Sequence, residues 1–312
     1  MEMIKPLVNP WARMEASSSR RVDIQTKHNL FWIKDVQNRY GLLIELSMGN
    51  IELFLKLKGV AIVIQAHNDV NNIYILLNDN ADWQIFLAVC SDLISAIYSC
   101  EKKERIAPIL NQRLSRWQKL LSKNNSVSLS EIRQMGLFSE LYCLKESIIP
   151  RFGIERSIMS WVGPNSDKKD FSLPDFFIEV KSYISSKGAT VKISSLEQLD
   201  ADIKPIYLAT YGLTKTANTI SVIDLVNSIA ALIQTGDNQT KDAFEDKLAF
   251  YGYINGVTEP PFYNYLVDIK RYYLVTDDFP RLSKSSIDTR ITGVEYNVDL
   301  TRCVSNQTQL PI

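Results

Sequence analysis

The chain has 312 residues, 46% hydrophobic and 22% charged, which excludes a disordered or fibrous protein and leaves length for two or three domains with cores of their own. Lysine plus arginine equals aspartate plus glutamate, 35 each, so no global positive field marks a nucleic-acid partner, and any such partner has to be held by a local basic patch. The four scattered cysteines (Cys90, Cys100, Cys143, Cys303) form no CxxC pair and argue against a zinc site, while the absence of a span-length apolar run or a signal-peptide core predicts a soluble, cytoplasmic chain with no membrane partner.

Residues 1–27, with Pro6, Pro10 and a serine run before Arg20 and Arg21, suit an irregular arm. From Phe31 to Leu77 the segments LFWIKDV, YGLLIELSM, IELFLKLKG, VAIVIQAHND and NIYILLND are separated by Asn, Gly and Asp, which predicts an antiparallel sheet of about five strands. His67 ends one of these strands as a turn residue and His28 sits in the arm. With no other histidine, the sequence argues against a Ser-His-Asp or Cys-His hydrolase.

Helices are predicted from about Trp83 to Tyr98 and from about Ala107 to Lys123. In the second, Arg105, Gln112, Arg116, Lys119 and Lys123 fall together at about 100° per residue, a basic face that reads either as a solvated surface or as a contact for a phosphate backbone. The polar stretch Lys123 to Ser126 reads as a linker, placing a boundary near residue 125.

The next helix starts at a Ser128 or Ser130 cap, runs to Ile148 or Ile149, and buries Leu137, Leu141, Leu144 and Ile148. Glu140 lies at the edge of that apolar face, where an ionised carboxylate is costly without a cation or strong donors; a buried ion pair is the structural alternative. Glu146 lies on the opposite, solvated side. Trp161 to Pro164 closes a short apolar strand and leads into the hairpin DFSLPDFFIEVKS.

In FFIEVKS, Phe176, Ile178 and Val180 alternate with Phe177, Glu179 and Lys181, so an acid and a lysine share one face of a strand. A carboxylate for a metal ion beside a lysine for a water or a phosphate oxygen is the start of a phosphodiester-hydrolysing site. Asp175 and Glu179 lie about 13 Å apart on one strand, too far for one ion. With the turn at Ser172 to Asp175, Phe171 pairs with Phe176, and Asp170 becomes a diagonal neighbour of Glu179 within about 8 Å. Asp170 is therefore the preferred ligand and Asp175 the alternative; a one-residue slip would reverse the facing.

Beyond Gly188, VKIS resumes a strand and SSLEQLD starts a helix in which Gln198 has either a capping role or a contact with substrate or water. PIYLATYGL reads as a buried strand, SVIDLVNSIAALIQ and DAFEDKLAFYGY as packed helices, and YLVDIKRYYLVTDDFPRL as a return to strand. There Lys270, Arg271 and Arg281 interleave with aromatic residues, a pattern shared by core packing and nucleic-acid contact.

GLFSELYCLKE, WVGP, KKDF, FIEVKS and VKISSLEQL together resemble the motifs of the PD-(D/E)XK family proteins found among bacterial restriction and phage-defence genes, within the restriction-endonuclease-like nuclease superfamily. Taken with the elements above, the resemblance, which implies the αβββαβ core, predicts an α+β (α/β) chain in three parts. Residues 1–125 form a β-rich domain with two helices, 126–235 a restriction-endonuclease-like αβββαβ nuclease core, and 236–312 a C-terminal α+β extension on that core. It further implies metal-dependent DNA cleavage with Mg²⁺, or Mn²⁺ as substitute. Asp170, Glu179 and the Val180 carbonyl would hold the ion, Glu140 would serve a second ion or its water, Lys181 would orient the attacking water, and Gln198 would be the polar residue of the following helix. Pro174-Asp175 spells the name-giving dipeptide but falls in the presumed turn. DNA contacts are expected from Arg105, Arg116, Lys119, Lys123 and Arg281, and partners are DNA, other defence subunits or a second copy of the chain. A non-catalytic DNA- or protein-binding scaffold subunit is the alternative from another class; an RNA-directed or repair nuclease is a third reading.

Overall fold

The structure, a computed structural model, describes residues 8–47, 59–67, 70–98, 100, 102–123, 128–165, 168–200, 204–235, 237–254, 258, 260–283, 286–288 and 290–311. It divides into two units, Met1–Val127 and Ser128–Ile312. Residues 236–312 thus count with the second unit.

The first unit carries an antiparallel sheet of five strands, β1 (Ser18–Arg21), β2 (Asn29–Lys34), β3 (Tyr40–Ser47), β4 (Val60–His67) and β5 (Val70–Leu77), in the order β1-β2-β3-β5-β4. The predicted strand IELFLKLKG lies outside the described residues apart from Gly59. The fifth place is taken by β1, from the segment expected to be irregular. Its residues Ser18 to Arg21 pair with Lys34 to Phe31 and satisfy that edge of the sheet. Period-two alternation buries Leu42, Ile44, Ile73 and Ile75 completely.

Two helices follow, α1 (Trp83–Tyr98) and α2 (Ile106–Lys123). Trp11 joins sheet and helix. Its indole donates to the Gly41 carbonyl at 2.9 Å and its ring stacks on Phe86 of α1. By length and composition Asn80–Tyr98 is apolar enough to cross a membrane, contrary to the expectation of no span-length apolar run. Here its stripe of Phe86, Val89, Cys90, Leu93 and Ile97 is buried in the unit, and Asp92 accepts from Trp117 Nε1 at 3.0 Å and pairs with Arg113. His28 is also structural: its ring bonds the Cys100 carbonyl at 2.8 Å.

The second unit begins with α3 (Glu131–Cys143), capped by Ser130 on the Arg133 amide. The helix widens into a π turn over Leu144–Ile148 and ends in α4 (Ile149–Phe152). Where a short strand was expected before Gly163, the chain forms α5 (Ile154–Ser160), and Trp161 makes only an isolated bridge to Phe171.

A five-stranded sheet, β6 (Phe171–Ser172), β7 (Phe177–Ile184), β9 (Ile206–Ser221), β10 (Asn264–Leu274) and β12 (Gln307–Thr308), runs in the order β12-β10-β9-β7-β6. All neighbours are antiparallel except β7 and β9, which are parallel. The strand VKIS, β8 (Thr190–Ile193), leaves this sheet and pairs with β11 (Tyr296–Asp299) as a separate ribbon. The helix expected at SSLEQLD is a single 3₁₀ turn, Leu196–Leu199.

Alternation gives the large sheet two apolar faces. Phe171, Ile178, Val180, Tyr211 and Leu213 pack with α3, α6 (Val222–Leu232) and α7 (Asn238–Tyr251). Tyr183, Leu208 and Tyr273 pack on the opposite side with Val191, Ile193 and Val298 of the β8–β11 ribbon. The chain is thus a mixed α+β protein, and β7 is buried on both faces while one of its edges meets a neighbour only two residues long.

Candidate active site

That edge is where the ionisable groups collect. The pairs Phe171 with Ile178 and Ser172 with Phe177 shift the hairpin two residues from the expected register. The turn is Leu173 to Phe176, closed by the Leu173 amide on the Phe176 carbonyl at 3.0 Å. A shift of two preserves facing, so Asp170 lies directly opposite Glu179 rather than diagonal to it. β6 does not extend to this position, and the Asp170 side chain replaces a backbone partner: its Oδ2 accepts from the Val180 amide at 2.7 Å. Because amide and carbonyl of one strand residue point the same way, the Val180 carbonyl faces the same edge. Asp175 is exposed at the turn, away from this group.

Glu179, 1% exposed, and Lys181 project from the face of β7 shared with Phe177 and Tyr183, with Lys181 Nζ 2.8 Å from Glu179 Oε1. This is an ion pair at hydrogen-bonding distance, with the lysine more exposed than the acid.

Glu140 comes from α3 across the other face. It is 7% exposed, its Oε2 accepts from Trp161 Nε1 at 2.6 Å, and the Tyr251 hydroxyl also bonds its carboxylate. Two glycines make room for this arrangement. A Cβ on Gly136, one helical turn before Glu140, would stand 2.4 Å from the Tyr251 hydroxyl oxygen. A Cβ on Gly163 would stand 2.7 Å from Asp170 Oδ1 and 3.3 Å from Glu140 Oε2, so the two carboxylates close on the space that a side chain would fill.

Burial dominates the electrostatics. Desolvation, reinforced by the Asp170 charge, pushes Glu179 up to about 8 against the pull of Lys181. Glu140 is raised well above the ordinary carboxylate range by burial and then by Asp170, with the Trp161 donor opposing. Asp170 is raised by burial, against Lys181 and the Val180 amide. Burial works to lower Lys181, but Glu179 and Asp170 outweigh it and hold the ammonium protonated. Lys169 is buried too, donates to the Glu197 carbonyl, and is lowered to about 8 by desolvation.

Three carboxylates outnumber the nearby ammonium groups, and protons or a cation must make up the difference. The donor set fits a hard divalent ion, which favours oxygen ligands and takes one or two carboxylates with water. Asp170, Glu179 and the Val180 carbonyl are the oxygen donors at this edge. Among the described residues no three acidic, histidine or cysteine side chains already converge as a ligand cluster.

Other expected contacts lie elsewhere. Gln198 Oε1 accepts from the Ser194 amide at 2.8 Å, so the amide oxygen caps its own turn. Arg116 is 3% exposed, which removes it from the expected basic surface: α2 turns it inward with its apolar stripe. Arg105 is exposed, while the Lys119 and Lys123 side chains lie outside the described residues. Arg281 is committed internally, donating to the Leu199 carbonyl at 3.0 Å and pairing with Asp277 at 2.9 Å, so it is not a ready phosphate contact. Sequence reasoning missed Trp161, Gly163, Lys169 and Tyr251 as parts of the site. The first three stand in the WVGP and KKDF segments, whereas Tyr251 lies in an ordinary amphipathic helix with no local signal.

An acid on a helix, an aspartate on a hairpin and an acid–lysine pair on the following strand define a class of α+β proteins with buried carboxylates at a sheet edge. The family model described as "Putative PD-(D/E)XK family member, (DUF4420)" matches residues 7–301, and the chain belongs to that family. No curated protein and no solved structure matches the chain.

Proposed function

We propose that this protein is a metal-dependent DNA endonuclease of a restriction or phage-defence system. The carrying observation is the group Glu140, Asp170, Glu179 and Lys181 at the open edge of β7. Asp170, Glu179 and the Val180 carbonyl would hold Mg²⁺, or Mn²⁺ in its place. The ion, when bound, supplies Lewis-acid polarisation of a phosphoryl oxygen and a lowered water pKa.

Lys181 is the residue best placed to act on the reacting atoms. Its ammonium, partly exposed and kept charged by two acids, donates to a water and to a phosphate oxygen as negative charge builds there. Asp170 keeps the carboxylate pair in register by anchoring to the Val180 amide. Glu140 is a positioning group, fixed by Trp161 and Tyr251 and facing Asp170 across Gly163.

The test is cleavage of plasmid and oligonucleotide DNA with Mg²⁺ and Mn²⁺, run on wild type and Lys181→Ala. The expected result is a fall of about 10²–10³-fold in rate with the fold intact, as for loss of a donor to developing charge. A pure variant cutting at the native rate refutes the reading. The observation that no three ligand side chains converge among the described residues favours a second reading, a non-catalytic DNA- or protein-binding scaffold. A Mn²⁺ soak with no peak between Asp170 and Glu179, together with no cleavage by wild type, selects it.

A further inference from the structure

On the same face of the large sheet as α3, but toward β12, lies a cavity of about 380 Å³ walled by Glu146, Ser147, Pro150, Arg151, Lys270 and Tyr272, with Gln309 and Leu310 at its side. The π turn helps to build it. Its wider helical turn directs Ser147 inward, where Oγ meets the Tyr272 hydroxyl at 3.2 Å; such turns are frequent at functional positions. Lys270 bonds the same Tyr272 hydroxyl and lies 5.7 Å from its ring centroid.

The charge balance of this cavity is the reverse of that at the acid cluster. Arg151 and Lys270 are exposed and make no salt bridge among the described residues, while Glu146 is paired with Lys145 at 3.0 Å. Two cations of different geometry therefore face one small space whose floor carries two hydroxyls. A guanidinium fork, an ammonium point charge and the one hydroxyl proton that the Ser147–Tyr272 bond leaves over together suit a tetrahedral, multiply charged oxyanion. A planar monoanion would leave much of that capacity unused.

We propose that this cavity is a phosphate-binding site, distinct from the acid cluster, that takes a phosphate of a nucleic-acid strand or a free phosphate group. In a chain with no net charge, and with Arg116 withdrawn from the expected basic face, it offers a local positive feature in the unit that bears the acids. Glu140 and Ser147 stand on one continuous helical run, about 10 Å apart along the axis. Phosphates of one strand advance about 3.4 Å each along a duplex, so the occupant would be on the order of three nucleotides from a phosphate at the acids. Only this identification of the occupant with a substrate strand rests on the nuclease reading; phosphate binding itself does not.

The experiment is titration of the full chain in EDTA with inorganic phosphate, followed by calorimetry and amide NMR, and with a labelled oligonucleotide, followed by anisotropy at several salt concentrations. Wild type is compared with Arg151→Ala/Lys270→Ala and with Lys187→Ala as a control in an exposed turn, all checked for unchanged melting. The expected result is phosphate-dependent shifts at Ser147 and Tyr272 that acetate at equal ionic strength does not produce, and a loss of about tenfold or more in affinity in the double variant alone. For a nucleic-acid occupant, the salt slope of oligonucleotide binding falls by about one to two, as expected for two lost phosphate contacts. Phosphate binding lost in the double variant while oligonucleotide binding is unchanged assigns the site to free phosphate. No phosphate response in wild type, or wild-type affinity in the double variant, overturns the proposal. Because every readout is made without divalent metal, failure of DNA cleavage leaves it intact, and its failure leaves the cleavage test intact.

Discussion

The two units bury different things. In the first, the five-stranded sheet is filled by Leu42, Ile44, Ile73 and Ile75, His28 bonds the Cys100 carbonyl, and among the described residues Arg116 is the single buried side chain with a permanent charge. In the second, an equally apolar sheet also withdraws Glu140, Glu179, Lys169 and Lys247 from water. Aliphatic burial stabilises at roughly 25 cal/mol per Å², whereas a buried acid contributes only what its partners return against the desolvation cost. One unit spends its interior on stability and the other gives up part of it to concentrate charge.

The contrast can be broken most strongly in the first unit. Ile75→Ala removes a completely buried aliphatic chain from a strand paired on both sides and should cost about 2–5 kcal/mol in a urea melt. A loss well under 1 kcal/mol would show that this core collapses around the gap. In the second unit, Gly163→Ala should cost about 1–3 kcal/mol, because its methyl would meet Asp170 at 2.7 Å from Oδ1 and 3.1 Å from Cα. It should also reduce cleavage, which a loss of stability alone would not do at temperatures well below melting.

A smaller effect isolates the helix acid. Gly136→Ala forces a methyl against the Tyr251 hydroxyl and should destabilise by about 1 kcal/mol or more. Combining it with Tyr251→Phe removes the clash and should recover part of that loss, so the double-mutant cycle is non-additive. Strict additivity would mean that hydroxyl and glycine do not share the space.

The mildest test is pH. Glu179 rises from 4.5 to about 8 on folding, so the native state keeps a proton that the unfolded chain releases, and stability falls as pH climbs across that window. Lys169 and Lys247 drop from 10.5 to about 8, both through burial, so the native state sheds protons that the unfolded chain retains and stability rises from about pH 8 upward. Thermal melts in EDTA should therefore pass through a minimum near pH 8. A profile rising steadily from pH 5 to 8 would contradict the burial of Glu179.

What could be read in the chain follows the range of the interactions. Helix α1 spans the predicted Trp83 to Tyr98 because its signals are local: periodicity within and polar residues at its ends. The shared facing of Asp170 and Glu179 survived a pairing register two residues out, with Asp170 directly opposite rather than diagonal, because facing depends on parity, not on the pairing itself. Where long-range partners decide, the residues gave less. VKIS has the composition of a strand, yet only tertiary structure shows that its partner is β11. Gln198 has capping spacing, but the helix it would start stops after one 3₁₀ turn. Tyr251 touches Glu140 only because α7 folds back over Gly136, a contact that no local pattern encodes.

The two-residue length of β6 has a consequence for how copies of this protein behave in a crowded solution. A sheet that ends in a long, bare strand offers a row of unpaired amides and carbonyls to any passing chain, the opening step of edge-to-edge aggregation. Here both flanking strands, β6 and β12, are two residues long, and the first position past β6 is occupied by a carboxylate already bonded to the Val180 amide. That carboxylate is also a charge at the point where an incoming strand would have to pair with Val180, so at this position the edge resists templating by repulsion and by prior occupancy.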